Sequence, residues 1–214
     1  MKQELLALVE QGDFESVASF AQSRKRALGA LVSLTYHSDP QVAWRAVDAM
    51  GLAADRVAEE DPEYVRNHLR RLYWLISEES GGQCWRAPEA MAEIVRRRPK
   101  QYGDYGPITV SLLDAMAEED LDHFRPGVLW AIGRLVGISD DAIDDVMPLV
   151  VASLENPEPQ VRGMAVWCLG QIGQVAPIAE RGDLFSDKSA VSLYEDKILG
   201  QTTVSALVRR AVSE

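Results

Sequence analysis

Apolar residues recur along this chain at helical spacing, and one arrangement of them returns four times, in residues 41–53, 82–94, 123–135 and 160–172. Aligned on a recurrent small residue, the segments place Ala49, Ala90, Ala131 and Cys168 at one slot. The next position is large and apolar (Met50, Met91, Ile132, Leu169), and the one after it is small again (Gly51, Ala92, Gly133, Gly170). Such alternation predicts helices buried over most of their circumference and approached closely by their neighbours.

Each of these helices has an apolar partner upstream. Residues 30–36 precede the first across Ser38-Asp39-Pro40, 65–76 the second, 108–116 the third, and 147–154 the fourth across Asn156-Pro157-Glu158-Pro159. Proline at these junctions marks helix starts. The repeating unit is therefore helix, short turn, helix, about 40 residues long, the length of HEAT or armadillo units. Residues 2–24 read as a helical hairpin turning at Gln11-Gly12-Asp13. Near the other end, Val191-Ser192-Leu193-Tyr194 and Ile198-Leu199 flank a polar turn and read as a β-hairpin before a last helix from Thr203. The expected fold is all-α, a right-handed α-solenoid of HEAT-like helical hairpins with a small C-terminal β-hairpin. It is read as a single domain over 1–214: an N-terminal cap (1–26), four units (27–176) and a C-terminal cap (177–214).

The fourth unit, from Leu154 through Asn156-Pro157-Glu158-Pro159-Gln160-Val161-Arg162 to Ala165 and Leu169-Gly170, resembles a bacterial HEAT-like repeat of the phycobilisome-lyase type. The first unit, with Ser38-Asp39-Pro40-Gln41-Val42 and Ala46, is similar, and the whole chain resembles a small family of bacterial HEAT-repeat proteins. The resemblance implies a solenoid that acts as a binding scaffold. It departs where the Arg after the Val of unit four becomes Ala43 in unit one and Cys84 in unit two.

Charge narrows the partners. The 22 Lys and Arg face 33 Asp and Glu, a net charge of −11. Residues 1–107 carry 14 basic and 16 acidic side chains, and residues 108–214 carry 8 and 17, so the surplus of acid lies in the second half. A surface this acidic is poorly matched to nucleic-acid phosphates or anionic lipid. No apolar run reaches the roughly 18 residues of a membrane helix, and no signal-peptide core follows Met1. A cytoplasmic protein with neither membrane nor nucleic acid as partner is expected.

Chemistry-bearing motifs are few. There is no phosphate-binding glycine loop, no H-E-x-x-H and no C-x-x-C. His37, His68 and His123 stand apart, each expected at the surface or a helix end, and Cys84 and Cys168 are expected as buried thiols. No metal or cofactor is expected.

Two features stand out as candidate binding residues. The segment Ser77-Glu78-Glu79-Ser80-Gly81-Gly82-Gln83-Cys84-Trp85-Arg86-Ala87-Pro88-Glu89 gathers carboxylates, a Gly-Gly turn and an early helical proline at one helix start. It reads either as a seat for a polar ligand or as a tight turn with side-chain caps. The second feature is the tryptophans. Trp44 and Trp85 share one repeat slot, and Trp130 and Trp167 share another one helical turn further on. With Arg45, Arg86 and Glu89 beside the first pair, they read either as an aromatic and charged groove on the concave face or as rings filling the seams between repeats.

The expected function is non-enzymatic binding of a protein or peptide through Trp44, Arg45, Glu78, Glu79, Trp85, Arg86, Glu89, Trp130 and Trp167. The alternative is an enzyme or enzyme accessory centred on Glu78, Glu79, Trp85 and Glu89. Trp85, Glu89, Arg125 and Trp167 are similar in order to the site of HEAT-like DNA glycosylases acting on alkylated bases, with Glu89 where that family has Asp. The negative charge opposes this alternative.

Overall fold

A computed structural model describes residues 1–76, 86–118 and 123–213. Of the described residues 74% are helical, and they fall into two compact units.

The first unit is Met1–Tyr105 with Asp196–Leu199. Helices α1 (Lys2–Gln11) and α2 (Phe14–Ser23) form the expected N-terminal hairpin. Gly12 turns it at φ +70°, and the Asp13 carboxylate accepts the Ser16 N–H to start α2. Next come α3 (Ala27–Leu34), α4 (Pro40–Ala58), α5 (Pro62–Ile76), α6 (Ala87–Arg97) and the single turn α7 (Pro99–Tyr102). Asp-Pro pairs begin α4 and α5: Asp39 accepts from Gln41 N at 2.8 Å and Asp61 from Tyr64 N at 3.1 Å.

Helix α4 is the hub and packs on α2, α3, α5 and α6. Its buried face is mostly Ala, Gly and Val, which keeps these helix axes close. A β-carbon on Gly51 would sit 3.0 Å from both Glu93 Cβ and Glu93 O, so the glycine permits the α4–α6 approach.

The second unit is Gly106–Glu195 with Gly200–Glu214. It contains most of α8 (Tyr105–Glu118), then α9 (Arg125–Arg134), α10 (Asp140–Ala152), α11 (Pro159–Ile172) and the short α12 (Ala176–Ala179). Strands β1 (Ala190–Glu195) and β2 (Ile198–Thr203) pair as a two-stranded sheet before α13 (Val204–Ser213). Asp196 and Lys197 form the hairpin turn at φ +48° and +66°, the pair of positive values a tight two-residue loop requires.

The slot of small residues does what its recurrence predicts. Ala49, Ala90, Ala131 and Cys168 are all fully buried, and α11 packs on α9 and α13. Gly163 faces β1, with Val191 Cγ2 2.5 Å from where its β-carbon would be. Arg162 explains the Val-Arg of the repeat: its guanidinium donates to the Asn156 and Pro157 carbonyls of the preceding turn and to Asp187 Oδ2.

Two expectations need correction. The fourth upstream helix begins at Asp140, not at Met147, and accommodates Pro148 in its interior. His68 lies in the middle of α5, only 7% exposed, with Nε2 3.4 Å from Met50 Sδ, and burial lowers its pKa to about 4. Among the described residues no helix is long and apolar enough to cross a membrane.

Candidate functional site

A buried polar cluster of the first unit lies where α4 meets α6. Residues 87–95 of α6 are all buried, and this stretch includes Glu89 and Glu93. The two carboxylates sit one turn apart on the same helix face. Glu93 accepts from Arg96 at 2.7 and 3.3 Å. On α4, Asp48 approaches Arg97 at 3.7 Å, while the buried Arg97 Nε has no hydrogen-bond partner.

Glu89 is the least satisfied group. Its side chain is 2% exposed and Oε1 accepts from Arg86 Nη1 at 3.3 Å. Oε2 is buried with no hydrogen-bond partner. Burial pushes the carboxyl up to about 7, and the Arg86 charge, the backbone and the Arg86 hydrogen bond only partly oppose that rise. Arg86 in turn stands over Trp44, its Cζ 4.3 Å from the ring centroid. Trp44, Arg86 and Glu89 thus form one continuous stack, with Trp44 and Arg86 half-buried and Glu89 beneath them.

Arg45, the next residue on α4, is engaged in architecture. It donates to the carbonyls of Glu10 and Lys197, and Gln41 one turn earlier bonds Lys197 O and Leu199 N. Glu78, Glu79 and Trp85 lie outside the described residues.

In the second unit Trp130 and Trp167 are 2% and 4% exposed. Their rings lie near parallel, at 8° and 6.3 Å between centroids, between α9 and α11. Trp130 Nε1 donates to Tyr194 O at 3.1 Å, and Trp167 Nε1 to Glu195 Oε1 at 3.0 Å. Burial alone would raise the Glu195 carboxyl, but hydrogen bonds from Arg210 and Trp167 hold it below its usual value. This pair fills a seam and is not presented to solvent. Among Trp44, Trp130 and Trp167, Trp44 is the one that is only half-buried, and Arg86 stands over its ring.

Sequence reasoning missed Glu93. Its spacing of four from Glu89, among Ala90, Ile94 and Val95, was the available signal. It also missed Trp74, Tyr73 and Tyr36, which are 56%, 43% and 48% exposed. Tyr73 and Trp74 fall off the buried face of α5, which runs through Val65, His68, Leu69 and Leu72.

Residues 122–172, which span α9 to α11, match the family model described as HEAT-like repeat. The chain contains a HEAT-like repeat. An uncharacterized protein of Archaeoglobus fulgidus is 34% identical over 112 residues, 52% of this chain and 55% of that protein. The match therefore spans about half the length of this curated relative. Among solved structures, a designed armadillo repeat protein superposes with a TM-score of 0.53 at 17% identity, covering 99% of this chain and 92% of that one. An engineered protein gives 0.49 at 16%, covering 98% and 95%. The armadillo likeness concerns the fold alone. Within the matched HEAT-like repeat, Gly133 and Trp167 make the close contact of α9 with α11, and Arg162 ties the turn that precedes α11.

Proposed function

We propose that this repeat scaffold binds a protein or peptide partner in the cytoplasm, without catalysis, through the surface of α4 and α6 at Trp44 and Arg86. The observation that carries the reading is the Arg86 guanidinium held over the Trp44 ring at 4.3 Å and pinned from below by Glu89. Trp and Arg are the residue types that most often dominate interface energies, and a side chain already fixed in place loses little entropy on binding. Trp44 and Arg86 serve as the contacts and Glu89 as their support. Cross-linking in the native cell, followed by titration of the purified partner against wild type and Trp44→Ala, tests it. A partner whose affinity ignores Trp44 contradicts it.

One observation favours a second reading. A buried carboxyl near pKa 7 with an unbonded oxygen has the protonation state of a general acid or base. Release of an alkylated base from DNA by wild type, abolished in Glu89→Gln, would support the enzymatic alternative.

A further inference from the structure

The second unit carries a cleft at the start of α10. It encloses about 330 Å³ and is lined by Pro107 of α8 and by residues 137–142. Gly137 turns the chain there at φ +78°, with open space where a β-carbon would stand. Its N–H donates to Asp140 Oδ1 at 2.7 Å, which ties that carboxylate to the cleft wall.

Ser139 is the group that this arrangement leaves unexplained. It is 6% exposed, and its Oγ is buried with no hydrogen-bond partner among the described residues. A serine at the start of a helix ordinarily accepts from the N–H groups of the first turn, but this side chain makes no such bond. A buried hydroxyl left unbonded costs stability, so its place in the wall of a cleft points to a hydrogen-bond partner supplied from outside the chain.

The surrounding charge decides the kind of partner. Asp140, Asp141, Asp144 and Asp145 are exposed on the first two turns of α10, at spacings where like charges repel. None of the four makes an ion pair among the described residues, and residues 77–85, 119–122 and 214, which lie outside them, contain no Lys, Arg or His. Asp140 and Asp141 also offset the positive end of the helix dipole, so the cleft repels anions. A calcium ion takes about six to eight oxygens. An ammonium group asks for three acceptors, and Ser139, Asp140 and Asp141 line one cleft.

We infer that this cleft docks a lysine side chain from a basic segment of a partner protein, with the ammonium on Ser139 Oγ and the carboxylates of Asp140 and Asp141. The aliphatic stem of the lysine lies along Pro107 and Ile138 while its charged head meets the polar groups. Asp144 and Asp145, one turn further on, extend the negative surface toward basic residues that flank the lysine. The cleft shares no residue with Trp44, Arg86 and Glu89, so this inference and the proposed function succeed or fail independently.

The test selects random short peptides from a display library on the immobilised full chain, then titrates the enriched peptides in solution. Peptides with a recurrent lysine among basic neighbours are expected, and acetylation of that lysine should weaken binding about tenfold or more. Asp141→Asn should weaken it by about tenfold, and Ser139→Ala, which leaves the net charge untouched, by about fivefold or more. Glu180→Gln removes the same charge as Asp141→Asn from an exposed position beside α12 and should leave affinity within about twofold. Ser139→Ala should keep or raise the thermal midpoint, because the hydroxyl it removes has no bond to lose; a lower midpoint would make the hydroxyl structural and overturn the inference. Enrichment of peptides without lysine, no enrichment, or affinity indifferent to Ser139→Ala and Asp141→Asn would also overturn it. So would an equal loss in Asp141→Asn and Glu180→Gln, which is general attraction to an acidic chain. Calcium retained by the full chain and lost in Asp141→Asn would assign the cleft to a metal ion, and self-association broken by Asp141→Asn would assign it to a second copy; either result overturns the partner assignment.

Discussion

Gly133 lies against the ring of Trp167 so closely that a β-carbon on it would stand 2.5 Å from Cζ3. Trp167 cannot retreat freely, because it is stacked on Trp130 and bonded through Nε1 to Glu195. The same slot recurs as Gly51 against Glu93 and Gly170 against Ala211, at 3.0 and 3.1 Å. A glycine in mid-helix costs roughly 1 kcal/mol of helix propensity, so its recurrence marks places where helix contact outweighs that cost.

Gly133→Ala should therefore destabilise the protein by about 1–3 kcal/mol through overpacking, in spite of the better helix former. Gly29→Ala, with open space around it and an ordinary helical position, should instead gain up to about 1 kcal/mol. Urea midpoints of the two variants, measured side by side, check the contrast.

Glu89 makes stability depend on pH. Its carboxyl is raised from 4.5 to about 7 in the folded chain, so the native state binds the extra proton between these values. Stability is fullest below about pH 4.5 and is lost as pH climbs to about 7, by roughly 3 kcal/mol at the limit. Glu89→Gln cannot ionise. It should match wild type near pH 4.5 and exceed it by about 1–3 kcal/mol at pH 8, less whatever the weakened Arg86 contact costs. Denaturation curves across that range measure the crossing.

Cys168 occupies the buried small slot, and burial pushes its thiol far above the usual range. In a Cys84→Ser background it should stay unmodified by a thiol-specific reagent until the protein unfolds. Labelling rates followed through a denaturant titration should track global unfolding.

The repeat was legible because its signal is redundant. Ala49, Ala90, Ala131 and Cys168 recur at 41, 41 and 37 residues, and burial of a small residue leaves such a trace wherever two helices touch. The hairpin at Ala190–Thr203 was legible from alternation around a polar turn. The start of α10 was not, because Pro148 resembles a boundary although the helix tolerates it in its interior. The roles of the site residues were least legible. Arg45 and Trp44 are neighbours of similar type to Arg86 and Trp85, but Arg45 spends its donors on carbonyls at Glu10 and Lys197, 35 residues before it and 152 after it. Trp44 and Trp130 both lie on second helices of repeats, one turn apart in register, yet Trp130 fills a seam and Trp44 is only half-buried. Which ring is covered depends on the neighbouring repeat and the hairpin, and no local pattern records that.

The most direct test of the account is the affinity of the cross-linked partner for wild type, Trp44→Ala and Arg86→Lys, with Glu180→Ala as an exposed control beside α12. Arg86→Lys keeps the positive charge beside Glu89 but removes the guanidinium that stands over Trp44. The account predicts affinity weaker by about tenfold or more in both site variants, with the control unchanged and all four proteins equally folded by thermal midpoint. Equal affinity across the four would contradict it.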